Sequence, residues 1–164
     1  MRRDADAALL SIDILIESAL WNGEPEHQAI LRQAITAAAR EASSKPAELA
    51  IVLTDDSAIR ALNRKWRGRD EPTNVLSFPA GSAATAPDQA AHLGDIVIAY
   101  ETSAREASCE GKLFAQHLVH LAVHGYLHLL GFDHETEAQA VVMERLEAEI
   151  LSQLGVPNPY CGRV

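Results

Sequence analysis

Between His117 and His134 the chain reads His-Leu-Val-His-Leu-Ala-Val-His-Gly-Tyr-Leu-His-Leu-Leu-Gly-Phe-Asp-His, and this stretch holds five of its seven histidines. The apolar residues between the histidines predict a helix from about 112 to 130 that is central to the packing. His124 and His128, four apart, fall on one face, about 6 Å apart along the axis. Gly131 offers a left-handed residue that ends the helix, and the turn returns His134 over the helix end. His120 and His128 are about 12 Å apart along the axis, and zinc–nitrogen bonds are only about 2.0–2.1 Å long. Those two cannot share an ion. The helical pair is therefore 120/124 or 124/128, and only 124/128 lies beside the turn that brings back His134. Three imidazoles and an open fourth position form a catalytic zinc arrangement, whereas structural zinc is usually closed by four protein ligands. His124, His128 and His134 are the expected ligands of one Zn2+. His117 and His120 are left as packing or supporting residues.

With 164 residues, one domain spanning 1–164 is expected. The two cysteines, Cys109 and Cys161, form no disulfide framework, which fits a reducing, cytoplasmic setting. The first apolar run is broken by Asp13 and Glu17 and reads as neither signal peptide nor membrane span. The formal net charge of −9 repels nucleic acid as a whole-protein field. Any partner of that kind needs a local basic surface. Arg60, Arg64, Lys65, Arg67 and Arg69 supply one within ten positions.

Along the chain, alternation over residues 9–17 predicts a strand, and Pro25 opens a helix to about Ser43. Residues 48–54 read as a second strand. Asp55, Asp56 and Ser57 start a helix that carries Ile59, Leu62 and Trp66 at helical spacing and ends at Gly68. On that spacing Trp66 is expected in the core. Residues 74–78 and 93–99 read as strands, and the Ala-rich stretch 80–92 between them reads as a surface loop. A helix follows over 101–109. After the histidine run, Thr136 with Gln139 resembles a capping box. It begins a final helix with Ala138, Val142, Leu146, Ile150 and Leu154 along one stripe, ended by Gly155. The predicted architecture is α+β: a single domain with a roughly four-stranded mixed sheet packed with about five helices, and a metal site at the end of a central helix.

The spacing His-x-x-x-His-x-x-Gly-x-x-His is similar to the zinc motif of metzincin proteases. Those enzymes need a glutamate directly after the first histidine as general base, and here that residue is Gly125. Asp133 and Glu135 flank His134 and could instead orient an imidazole.

The run from His124 to His134 resembles the signature of the YbeY family of bacterial endoribonucleases. Leu62-Asn63 with Trp66-Arg67-Gly68, Thr73-Asn74-Val75-Leu76-Ser77-Phe78-Pro79, and Leu93-Gly94-Asp95-Ile96-Val97-Ile98 resemble three further segments of that family. The likeness runs from about residue 50 to the end. Relatives often carry Asp where this chain has Asn74. The resemblance implies a zinc-dependent, single-strand-specific endoribonuclease acting in maturation of small-subunit ribosomal RNA and in ribosome quality control. It implies Arg67 and His124 as catalytic residues, with no organic cofactor and no membrane. It also implies Asn74 and Ser77 at a strand edge near the metal, and Asp95 orienting a ligand. Arg60, Arg64, Lys65 and Arg69 are candidates for binding backbone phosphate. A guanidinium such as that of Arg67 can grip a phosphodiester through two parallel hydrogen bonds. Two other readings keep the metal. One is a zinc hydrolase of peptides or small molecules, which Gly125 disfavours. The other is a ribosome-assembly factor with chiefly structural zinc, whose acidic surface docks basic ribosomal proteins.

Overall fold

The computed structural model describes residues 10–42, 45–81 and 91–160. Four strands, β1 (Leu10–Ile16), β2 (Ala47–Thr54), β3 (Val75–Pro79) and β4 (Ala91–Ala99), form one sheet in the order β1-β2-β4-β3. β1, β2 and β4 run parallel, and β3 pairs antiparallel with β4 at the edge. The helices are α1 (Glu26–Ala42), α2 (Asp56–Arg67), α3 (Tyr100–Cys109), α4 (Phe114–Leu129) and α5 (Glu137–Gln153), with a 3-10 turn over Ala19–Trp21. This is the α+β arrangement with a mixed four-stranded sheet that the sequence predicts.

Alternation along the strands divides the core between the two faces of the sheet. Leu49, Ile51, Leu53, Ile96 and Ile98 point to the face covered by α1 and α4. Leu76, Val97 and Ala99 point to the other face, where Ile59 and Leu62 of α2 meet them. α4 contacts α1, α3, α5, β3 and β4, so it is enclosed on most sides. Ten of its sixteen residues are buried, which leaves it a narrow polar edge.

α2 and α3 leave the ends of the paired strands β2 and β4, and each caps the other. The Glu101 carboxylate accepts from the Asp56 amide at 2.9 Å. Asp56 in turn accepts from the Thr102 amide at 3.0 Å and the Thr102 hydroxyl at 2.7 Å. Acidic groups at helix starts satisfy amides that have no partner within their own helix. Here the exchange also locks two helices together.

Several expectations need correction. Ala91 and His92 belong to β4, because they pair with Ala47 and Glu48; residues 82–90 of the expected loop lie outside the described ones, as does Ser43. The register of β2 on β4 slips between Glu48 and Leu49, which leaves Leu93 as an extra residue in a bulge. The buried stripe of α5 is Met143, Glu147, Ile150 and Leu151, while Ala138 and Val142 are exposed. Trp66 is 61% exposed. The buried face of α2 turns through Ile59 and Asn63, and Trp66, one residue before the helix end, meets Phe78 edge-on, ring centroids 6.2 Å apart.

Gly94 follows the bulge at φ 128°, and a Cβ there would sit 2.1 Å from the Phe78 carbonyl oxygen. The obstacle is the backbone of the neighbouring strand, which cannot rotate away. Gly94→Ala should therefore destabilise the fold by about 3 kcal/mol, combining backbone strain and overpacking. Urea unfolding would read this as a lower midpoint at unchanged slope.

Candidate active site

The polar edge of α4 carries His117, His120, His124 and His128, and each meets a different surrounding. His117, near the start of the helix, is buried and donates from Nε2 to Glu106 of α3 at 2.9 Å. The same Glu106 oxygen accepts from the Asn74 side-chain amide at 2.9 Å. Asn74 thus acts as a donor to a carboxylate; an aspartate in its place would set two like charges against each other. His120 and His124 both face Glu147 of α5. His124 Nδ1 lies 2.6 Å from one Glu147 oxygen, and His120 Nε2 lies 3.3 Å from the other, which also accepts from the Tyr160 hydroxyl. An ionised carboxylate only accepts, so both ring nitrogens carry hydrogen. His124 is left with a lone pair on Nε2.

That lone pair faces His128 Nε2 at 3.1 Å. α4 ends directly beyond, in a turn where Gly131 at φ 99° donates to the His128 carbonyl and Phe132 donates to that of Leu127, both at 3.0 Å. This paired closure of a helix end redirects the chain. Asp133 accepts from the His134 amide at 2.7 Å and shapes the last step. The His134 ring then lies 5.8 Å from that of His124 and 5.2 Å from that of His128.

The donor set fits a metal ion. One ligand nitrogen from each of His124, His128 and His134 lies within 4.8 Å of the others. The 3.1 Å between the two Nε2 atoms is close to the separation of about 3.3 Å expected for two ligands of one tetrahedral zinc. A second triple, His120, His124 and Glu147, is as compact. Its His124–Glu147 contact of 2.6 Å is a short hydrogen bond to a carboxylate and leaves no room for an ion between those atoms. Burial, reinforced by repulsion from His124 and His134 whenever either is protonated, pushes the His128 pKa down, which favours the neutral ring that can ligate.

Arg67 reaches this place from the far side of the sheet. It is the last residue of α2, and the turn after it is fixed twice. Gly68 closes the helix at φ 69°, and the buried Asn63 donates from its side chain to the Glu71 carbonyl at 2.9 Å. Arg67, Asn74, His124, His128, His134 and Tyr160 all line one cleft of about 820 Å³. Arg60, Arg64, Lys65 and Arg69 do not line it. Arg60 is engaged by Asp70 through two contacts of 2.9 and 3.2 Å, and the Lys65 ammonium sits 5.1 Å from the Trp66 ring centroid. Asp95 does not meet the histidines either. It alternates with Ile96, so it points to the α2 face, away from α4. Ser77 does approach the site: its hydroxyl donates to the Gly125 carbonyl at 3.1 Å. At Gly125 the helix presses on the sheet, since a Cβ there would lie 2.9 Å from Ile96 Cγ2 and 3.1 Å from Ser77 Oγ.

The sequence model of one family, described as endoribonuclease YbeY, matches residues 17–155. The chain belongs to the endoribonuclease YbeY family. A YbeY-family relative from Rhodopseudomonas palustris strain BisA53, named endoribonuclease YbeY, is 57% identical over 152 residues, covering 90% of this chain and 88% of its own. A relative of the same name from Nitrobacter hamburgensis is 51% identical over 158 residues, covering 93% and 83%. A solution structure of a Thermotoga maritima protein shares the fold, with a TM-score of 0.54 and 23% identity over 93% of this chain and 99% of the other.

Glu147 is the site residue that sequence reasoning missed. Burial pushes its pKa up, but hydrogen bonds from His120 and His124, the attraction of His124 and the bond from Tyr160 prevail and hold it at about 2. A carboxyl group depressed in the folded state contributes stability above its unfolded pKa of about 4.5, and this is lost as pH falls toward 2. The shift corresponds to on the order of 3 kcal/mol. Metal-free protein should lose stability between pH 4.5 and 2, and Glu147→Gln should flatten that part of the profile in acid-unfolding measurements.

Proposed function

We propose that the protein is a metal-dependent, single-strand-specific endoribonuclease acting in ribosomal RNA maturation in the cytoplasm, in contact with the ribosome. Zinc is held by His124, His128 and His134. The observation that carries this reading is the meeting of Arg67 with the three imidazoles in one cleft, from opposite faces of the sheet and 57 positions apart in sequence (124 − 67). When bound, zinc supplies a Lewis acid able to polarise a phosphoryl oxygen or lower the pKa of a water.

The protein's own residues do the rest. Among the described residues lining the cleft, Arg67 is the one arginine or lysine, so it is the group available to clamp the phosphodiester and stabilise its developing charge. Asn63 and Gly68 hold the turn that aims it. Glu147 keeps His124 in the tautomer that ligates. Trp66, exposed next to Arg67, offers a flat face on which an unpaired base can stack. A duplex keeps its bases stacked inside, so this supports single-strand preference.

The peptide-hydrolase reading loses support at Gly125. A glutamate there would have to enter the contact with Ile96 and Ser77, so the position cannot host a general base. The assembly-factor reading is compatible with the nuclease and draws on the −9 net charge, which suits basic ribosomal proteins.

Cleavage of a precursor ribosomal RNA by zinc-loaded protein tests the proposal. Arg67→Ala should lower kcat/KM by about 10²–10³-fold while zinc affinity stays unchanged. His128→Ala should lose zinc binding and cleavage together. Zinc-loaded protein that cuts no single-stranded RNA, or an Arg67→Ala protein as active as the original, would overturn it.

A further inference from the structure

The last described residues run back onto the helix they leave. α5 closes with Gly155 at φ 73°, donating to the Ser152 carbonyl at 3.1 Å, and Val156 donating to that of Leu151 at 2.9 Å. The segment that follows is stiffened by Pro157 and Pro159, whose rings fix φ. A turn in which the Tyr160 amide donates to the Asn158 side chain at 2.9 Å shapes it further. Tyr160 thereby arrives at Glu147, thirteen positions earlier in the chain.

Glu147 is fully buried and accepts from His124 on one oxygen and from His120 and Tyr160 on the other. A buried carboxylate stays ionised only while donors replace the water it has lost. Among the described residues, Tyr160 is the donor to Glu147 that comes from outside the two helices. Its ring also stands edge-on to that of His120, centroids 6.0 Å apart. The ionised carboxylate in turn dictates the proton position on His124. With hydrogen on Nδ1, Nε2 is free to ligate; with the tautomer reversed, the proton sits on the nitrogen that must bind.

We propose that Glu147 and Tyr160 are positioning residues for metal capture. Glu147 fixes the tautomer and ring orientation of His124. Tyr160 completes the donor set of Glu147, so that docking of residues 156–160 against α5 raises metal affinity. This rests on the three-histidine metal site proposed above.

The test uses the full chain stripped of metal and titrated with Zn2+ against a chromophoric chelator. Nitrogen-15 NMR of the imidazoles in the metal-free state provides a second readout. Glu147→Gln should weaken Zn2+ binding by about 10–100-fold, and Tyr160→Phe, which removes one hydroxyl, by a smaller factor. In both variants the NMR should show His124 losing the Nδ1–H tautomer in favour of Nε2–H. Metal-free Tyr160→Phe should still unfold cooperatively, with a Tm lowered by the loss of one donor to a buried carboxylate but with the fold retained, which separates positioning from simple loss of fold. If Tyr160→Phe binds Zn2+ with unchanged affinity and shows an unchanged tautomer, the role of Tyr160 is overturned, whether or not Glu147→Gln folds. If Glu147→Gln folds and also behaves like the original, the whole inference falls. An original protein that does not bind Zn2+ would instead overturn the metal site itself, while the tautomer measurement would still show whether Glu147 orders His124.

Discussion

A helix enclosed on most sides must place every polar side chain where something can receive it. α4 is such a helix, and much of the site follows from how its histidines are received. An isolated imidazole buried in an apolar core is costly unless it is hydrogen-bonded. His117 meets Glu106 from α3, His120 and His124 meet Glu147 from α5, and His128 faces the cleft. The apolar burial that holds the domain together and the polar line that organises the site are therefore two faces of one packing problem. α4 can only sit this close to the sheet because residue 125 has no side chain, and Ser77 fastens the same point by a hydrogen bond to the Gly125 carbonyl.

The electrostatics of the cleft follow from the same arrangement. Asp133, Glu135 and Glu144 also line it, so Arg67 by itself does not make it attractive to an anionic polymer. A divalent ion on three neutral imidazoles would change the sign of the local field at the point where a phosphate must sit. Binding and chemistry would then depend on one charge, and the acidic exterior would limit non-specific adhesion of nucleic acid elsewhere on the surface.

Most of the elements were legible because their ends carry chemical signals: Asp55 before α2, Gly68 after it, Thr136 with Gln139 before α5, Gly131 and Gly155 at helix closures. The three-histidine set was legible because helical rise excludes the 120/128 pair and a glycine turn selects the other end. The errors share a cause. Periodicity shows that a helix or strand has a buried face, and a small error in phase changes which residues lie on it. α5 carries Glu137, Glu144, Glu147 and Glu149, and nothing local distinguishes the one that enters the core; only Met143, Ile150 and Leu151 around it mark the face. The resemblance implies that Asp95 orients a ligand, but alternation with Ile96 sends it to the opposite side of the sheet. Trp66 keeps helical spacing with Ile59, yet lies so near the helix end that no core residue covers it and Phe78 meets it edge-on. Arg67 joins the site through the turn fixed by Asn63 and Gly68, a tertiary arrangement with no periodic signature.

The closeness of α4 to the sheet also bears on how this scaffold can change over time. The histidine spacing matches that of a zinc protease, and the motif differs from it at one residue, Gly125 in place of glutamate. In three dimensions the step is blocked, because the required glutamate would have to displace Ile96 and Ser77 and lift a buried helix off its sheet. Neighbouring sequences that look functionally adjacent are thus separated by a packing barrier. A lineage on this scaffold can vary the groups around its histidines far more readily than it can acquire the chemistry that its motif superficially suggests.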